Sequence, residues 1–225
     1  NGLSSAQLAA NHPVSGGTYE YGHRWLNPSL GFTAGWMFLC AKSASAATAA
    51  LGFAGYLAHA TGIGASLFLA LGVVVLVTVI ALSGIERSNR VNIVIVSIVI
   101  LALLTFVVAG FPSAIENRAA FQPLLDGEKL TDLLRATALM FVAFTGYGRI
   151  ATLGEEVTEP RRTIPRAVIV TLLVSMALYL AVAFVGLGAV GAKGFAGTDS
   201  PLALASQQMG QAALPMVMVI GATVA

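Results

Sequence analysis

Apolar runs long enough to cross a bilayer recur along the whole chain, and they dictate an all-α fold. They cover about residues 30–57, 65–82, 91–111, 133–153 and 167–190, and a further run begins at 212 and reaches 225. Residues 2–10 look like the end of an earlier one. A span needs about 17–25 residues at 1.5 Å rise each. Hydrocarbon offers no partner to backbone polar groups, and a helix satisfies its own. The expectation is a polytopic α-helical membrane protein forming one transmembrane domain over 1–225, with five complete spans and partial ones outside them. The chain starts at Asn1 without a methionine and stops at Ala225 inside an apolar run. That predicts a fragment of a longer membrane protein, incomplete at both ends. No signal peptide with a basic head is visible.

Composition excludes other classes. The chain is 57% hydrophobic and 10% charged, where a soluble domain carries about 25% charged residues. Mean hydropathy is +0.84. A net charge of +2 makes no basic field for nucleic acid. The single cysteine, Cys40, can form no internal disulfide and reads as a small buried hydrophobe. His12, His23 and His59 are far apart in sequence and predict no metal site. Neither HExxH, CxxC nor a Walker pattern occurs, and there is no nucleophile elbow. The chain is therefore not expected to be an enzyme or to need a cofactor.

The run at 133–153 is interrupted near 144–148, where Phe144-Thr145-Gly146-Tyr147-Gly148 places two glycines around a tyrosine. Each Gly costs a helix about 0.8–1 kcal/mol relative to Ala. Irregular backbone at mid-bilayer survives only where it is buried in protein or lines a cavity. Broken helices at that depth form substrate sites in secondary transporters. The bland reading is that the glycines only permit close helix crossing.

Loop charge predicts orientation. Loops 83–91 and 154–166, with residues 22–28, carry Arg24, Arg87, Arg90, Arg161, Arg162 and Arg166. The arginine bias places them in the cytoplasm of a multi-pass plasma-membrane protein. Ser113–Asp132 becomes an external loop with a short surface helix. The Ala/Ser/Gly/Thr-rich stretch Ala41–Gly55 predicts a helix at the centre of the bundle, because small residues let backbones approach.

Several ordered motifs carry a resemblance. They are His12-Pro13-Val14-Ser15-Gly16-Gly17-Thr18-Tyr19-Glu20-Tyr21, Gly31-Phe32-Thr33-Ala34-Gly35-Trp36, Arg90-Val91-Asn92, Phe144-Thr145-Gly146, Glu155-Glu156 and Pro160-Arg161-Arg162-Thr163-Ile164-Pro165-Arg166-Ala167. Together they resemble the amino acid–polyamine–organocation permeases from the end of helix two into helix eight. The resemblance implies a fold of two inverted five-helix repeats with broken first and sixth helices. It implies an amino acid substrate moved by alternating access, and a coupling ion (proton or sodium) or an exchange substrate. The other class to weigh is a non-transporting membrane subunit or assembly partner of the same fold.

In that family, sixth-helix carbonyls hold the substrate's amino group. Registered on Phe144-Thr145-Gly146, these fall on Val142, Ala143 and Thr145, with Phe144 and Tyr147 as side-chain walls or gates around Gly146. The physics agrees: the last carbonyls of a helix lack intrahelical donors and carry the negative end of its dipole. The chain departs from the family twice. Gly148 stands where many members carry an acid, and Val99 where some carry a lysine.

Four more residues are coupling or gate candidates. Lys42 lies inside an apolar run, roughly 18 Å along a helix starting near Leu30, and a cation at that depth marks function or a partner. Its bland reading is a stem snorkelling to a water-filled vestibule. Arg149 sits just past the break. Glu155 and Glu156 read equally as a gate or as a solvated loop. Without an acid near the break, this half-site predicts neutral amino acids over cationic ones.

Overall fold

The structure is a computed structural model that describes residues 1–62, 67–82, 85–121, 130–196, 198 and 200–224. Within them every regular element is helical: α1 (Gly2–Asn11), α2 (Thr18–Trp25), α3 (Pro28–Thr61), α4 (Leu67–Leu82), α5 (Ile85–Glu116), α6 (Leu130–Ala143), α7 (Tyr147–Ile150), α8 (Pro160–Ala196), α9 (Pro201–Gln208) and α10 (Leu214–Val224). A 3-10 turn, Arg118–Phe121, follows α5. Among the described residues three helices are long and apolar enough to cross a membrane: Pro28–Ala58, Arg90–Glu116 and Pro160–Ala192. Two shorter apolar helices are α4 and α10.

The chain forms two compact units, Asn1–Lys42 with Leu125–Tyr179, and Ser43–Leu124 with Leu180–Ala225. The core of the first is Ala6 and Ala9 of α1, Tyr21 of α2, Ala151, and Ile164 and Val168 of α8. Small residues set the approach of its elements. A Cβ on Gly31 would lie 2.5 Å from the His23 backbone nitrogen, so α2 lies directly against the start of α3. Asn27 caps that start, its Oδ1 accepting from the Leu30 N–H at 2.8 Å.

The second unit is built around α5, α8, α9 and α10, with Phe106, Ala114, Val185, Ala205, Leu214 and Met218 buried together. Gly188 approaches Ala114 and Gly221 approaches Ala102 so closely that an added Cβ would lie 2.6 Å from the alanine Cβ. Asn117 Nδ2 donates to the Gly188 carbonyl at 2.8 Å. A smaller cluster joins Ala50 and Ala54 of α3 to Ala70 of α4.

Several expectations need correction. Residues 85–91 and 160–166 are not loop: α5 begins at Ile85, where Glu86, Arg87 and Arg90 are good helix formers despite their polarity, and α8 begins at Pro160, a residue tolerated in a first helical turn. The stretch 41–55 is not centrally buried within this chain. Only Ala50 and Ala54 are, packed in one cluster with Ala70, Leu69 and Val73 of α4. Cys40 is exposed, not a core residue. Of the expected elements, residues 65–66, 83–84, 122–129 and 225 lie outside the described ones.

Candidate functional site

The site is built where α6 stops. Its apolar helix ends at Ala143, three turn residues follow, and α7 occupies a single turn. The local reason is a change of hydrogen-bond register. Phe144 N–H donates to the Phe141 carbonyl at 3.2 Å and Thr145 N–H to Val142 at 3.1 Å. Beyond the turn, Gly148 N–H donates to Thr145 and Arg149 N–H to Gly146, both at 3.1 Å. Three-residue spacing tightens the chain as in a 3-10 helix. Thr145 reinforces it by donating its hydroxyl to the Val142 carbonyl at 2.8 Å. Gly146 keeps right-handed helical angles, φ −56° and ψ −29°. The break is thus a tightening of the helix, not an extended opening.

That form changes the carbonyl inventory. The Val142 carbonyl accepts two bonds and the Thr145 carbonyl one. The Ala143 carbonyl receives the Tyr179 hydroxyl of α8 at a long 3.5 Å. The expectation of free carbonyls at Val142, Ala143 and Thr145 is therefore corrected. A carbonyl has two lone pairs, so an ammonium at Ala143 or Thr145 would share the oxygen with a donor already present.

The side chains of the break diverge. Phe144 is half-buried and meets Tyr179 edge-to-face, ring centroids 5.2 Å apart. Tyr147 packs against the core that holds Ala6, Ala9 and Tyr21. Val142 and Ala143 are exposed. Gly148 faces α3: a Cβ there would lie 3.4 Å from Phe38 Cε2. The Lys42 ammonium lies 5.5 Å from the centroid of that same ring, within cation–π range. Phe38 thus links Lys42 to the segment after the break. Arg149, Glu155 and Glu156 are exposed. Among the described residues the ion pair found is His12–Glu20 at 3.4 Å, and it involves none of these three.

Tyr179 and Phe38 are the residues that sequence reasoning missed. Phe38 stands one helical turn before Lys42, on the same face, which is a usable signal. Nothing in the sequence pairs Tyr179 with the break. No group of His, Cys, Asp and Glu among the described residues is placed to hold a metal.

With this geometry established, the chain matches the family model described as "Amino acid permease" over residues 2–225. It belongs to the amino acid permease family. The permease is 40% identical over 227 residues to an uncharacterized transporter of Mycobacterium tuberculosis, covering 100% of this chain and 50% of that protein. It is 30% identical over 241 residues to the branched-chain amino acid permease BcaP of Bacillus subtilis, covering 98% of this chain and 51% of that one. A methylthioribose transporter of the same organism is 27% identical, covering 97% and 50%. The permease chain spans about half the length of the curated relatives it matches. As an all-α permease with several apolar helices, it is a multi-pass membrane protein.

Proposed function

We propose that this permease moves amino acids across the plasma membrane by alternating access, and that it prefers neutral ones. The observation that carries the reading is the interruption at Phe144–Gly146 in an otherwise apolar helix, in a chain that belongs to this family. A helix end in a membrane gathers carbonyl dipoles where an ammonium can use them. Two relatives, from Bacillus subtilis and Lactococcus lactis, are named branched-chain amino acid permeases, which fits an apolar substrate side chain. The Val142 oxygen is already taken by two donors, so we assign the substrate's amino group to the carbonyls of Ala143 and Thr145. Its side chain lies against Phe144 and Tyr179, with Gly146 giving close backbone approach. Tyr147 supports this wall from the core side.

The preference for neutral substrates rests on charge. Within residues 141–150 there is no acid, and Arg149 is exposed just past the break. A second positive charge on the substrate meets no partner there and some repulsion. A coupling ion, proton or sodium, or an exchange substrate accompanies transport, with Lys42 and Arg149 as the chain's cationic contributors. In this reading the arginine-bearing segments 83–91 and 154–166, with Glu155 and Glu156, belong on the cytoplasmic side.

Competition uptake into proteoliposomes tests this. Leucine, alanine and phenylalanine should each displace a labelled neutral substrate, and arginine should not. Phe144→Ala removes the ring that Tyr179 meets and should shift selection toward larger side chains. Arginine as the best competitor would overturn the neutral assignment. Methylthioribose, which has no ammonium group, should compete poorly if the carbonyls hold an amine. No uptake of any amino acid would favour the non-transporting subunit instead.

A further inference from the structure

Tyr21 carries a polar group that this arrangement does not use. It is 7% exposed, and its hydroxyl is buried without a hydrogen-bond partner, the one such side-chain atom found among the described residues. Around it lie Ala6 and Ala9 of α1, Ala151, and Ile164 and Val168 of α8, all apolar. Burial pushes the phenol's pKa above its ordinary value of 10.0. A buried unmet hydroxyl favours any other state in which it is satisfied.

The joint that would permit such a state is also present. α2 is joined to α1 through Gly16 and Gly17, both left-handed at φ 126° and 55°, a region that glycine enters without steric cost. On its other side α2 lies against the start of α3 through the close approach of Gly31 to His23, so a swing about Gly16–Gly17 carries the start of α3 with it. α2 is held in place by the Tyr21 ring in the shared core, by the approach of Gly17 to Thr152, and by His12, which packs edge-on against Trp25 at 5.4 Å and faces Glu20 at 3.4 Å.

We propose that α2 has a second position, swung about Gly16–Gly17 away from α1 and from Ile164–Val168, in which water reaches and hydrogen-bonds the Tyr21 hydroxyl. The present position leaves that hydroxyl dry and unpaired, and the lifted one satisfies it. The tyrosine therefore lowers the cost of lifting. A phenylalanine, which has no hydroxyl to satisfy, holds α2 down.

The test reads the position of α2 directly and needs no substrate, so it stands apart from the transport reading. Ala9→Cys and, separately, Ala151→Cys are made in a Cys40→Ser background and labelled with a water-soluble maleimide, with and without Tyr21→Phe. Labelling should slow by about 5- to 150-fold in the Tyr21→Phe protein, the range set by one buried unsatisfied hydroxyl. Hydrogen exchange of the α2 amides, which needs no cysteine, should slow likewise. The thermal midpoint should hold or rise. Unchanged or faster labelling and exchange, or a lower midpoint, overturns the proposal, since the hydroxyl would then be satisfied where it is. Failure of both cysteines to label in the parent also overturns it, because α2 would have only one position.

Discussion

Gly154→Ala is expected to lower the thermal midpoint by about 2–12 °C, corresponding to overpacking of about 1–3 kcal/mol in a chain of this size. Gly154 is buried in the segment that follows α7. A Cβ placed there would lie 2.6 Å from the Pro13 carbonyl carbon, 2.7 Å from Val14 N and 2.8 Å from the Pro13 oxygen. All three atoms are backbone, so no rotamer change relieves the clash and the link after α1 must move. That link leads into α2, so the displacement should also weaken the packing of Ala9 and Tyr21 and reduce uptake. Gly72→Ala in α4 is the matched control. Nothing lies within 4 Å of its added Cβ, and a helical Gly-to-Ala exchange should gain up to about 1 kcal/mol. A Gly154→Ala protein melting with the parent, under conditions where Gly72→Ala does not destabilise, would contradict the close contact.

How much of this was legible in the sequence depends on whether the cause was local. The three long helices were, because apolar length alone decides them, as in Arg90–Glu116. The ends were less so. Ile85–Arg90 is polar enough to look like loop, yet helix continues wherever no residue breaks it, and hydropathy does not report that. The interruption near Phe144 was visible in its glycines. Its form was not: Thr145 turns its hydroxyl back onto Val142, and this choice tightens the chain and occupies a carbonyl that looked free. Tyr179, whose hydroxyl reaches Ala143, is separated from it by 36 positions. Only the fold brings such a pair together. The place of Tyr147 beside Gly146 predicts a role at the break, but it does not reveal that the ring also packs against the core holding the α1 alanines. Cys40 shows the limit of a composition argument: an apolar neighbourhood in sequence does not say which face of α3 is covered.

Lys42→Met should reduce uptake by at least about tenfold, the effect of losing roughly 1.4 kcal/mol of a required charge interaction, while expression and thermal midpoint stay near the parent's. Lys42 lies inside the membrane-crossing stretch Pro28–Ala58 and is only half-buried by this chain. Among the described residues its ammonium has no carboxylate within ion-pair distance. Its recorded contact is the face of Phe38 at 5.5 Å, and Phe38 in turn touches the position of Gly148. A cation inside a span is costly and by default reads as a functional-site hypothesis, which this substitution tests. It also stands one ring away from the segment that follows the break. Methionine keeps the length and apolar stem of lysine and deletes only the charge, so packing loss does not explain a defect. Lys42→Arg should retain part of the uptake, because an arginine also sits well over a phenyl face. A purely structural lysine would show a different pattern: Lys42→Met would be stabilised by removal of a charge from the span and would transport normally at every pH. Uptake equal to the parent across pH would remove Lys42 from the mechanism and leave Arg149 as the cation to test at the break.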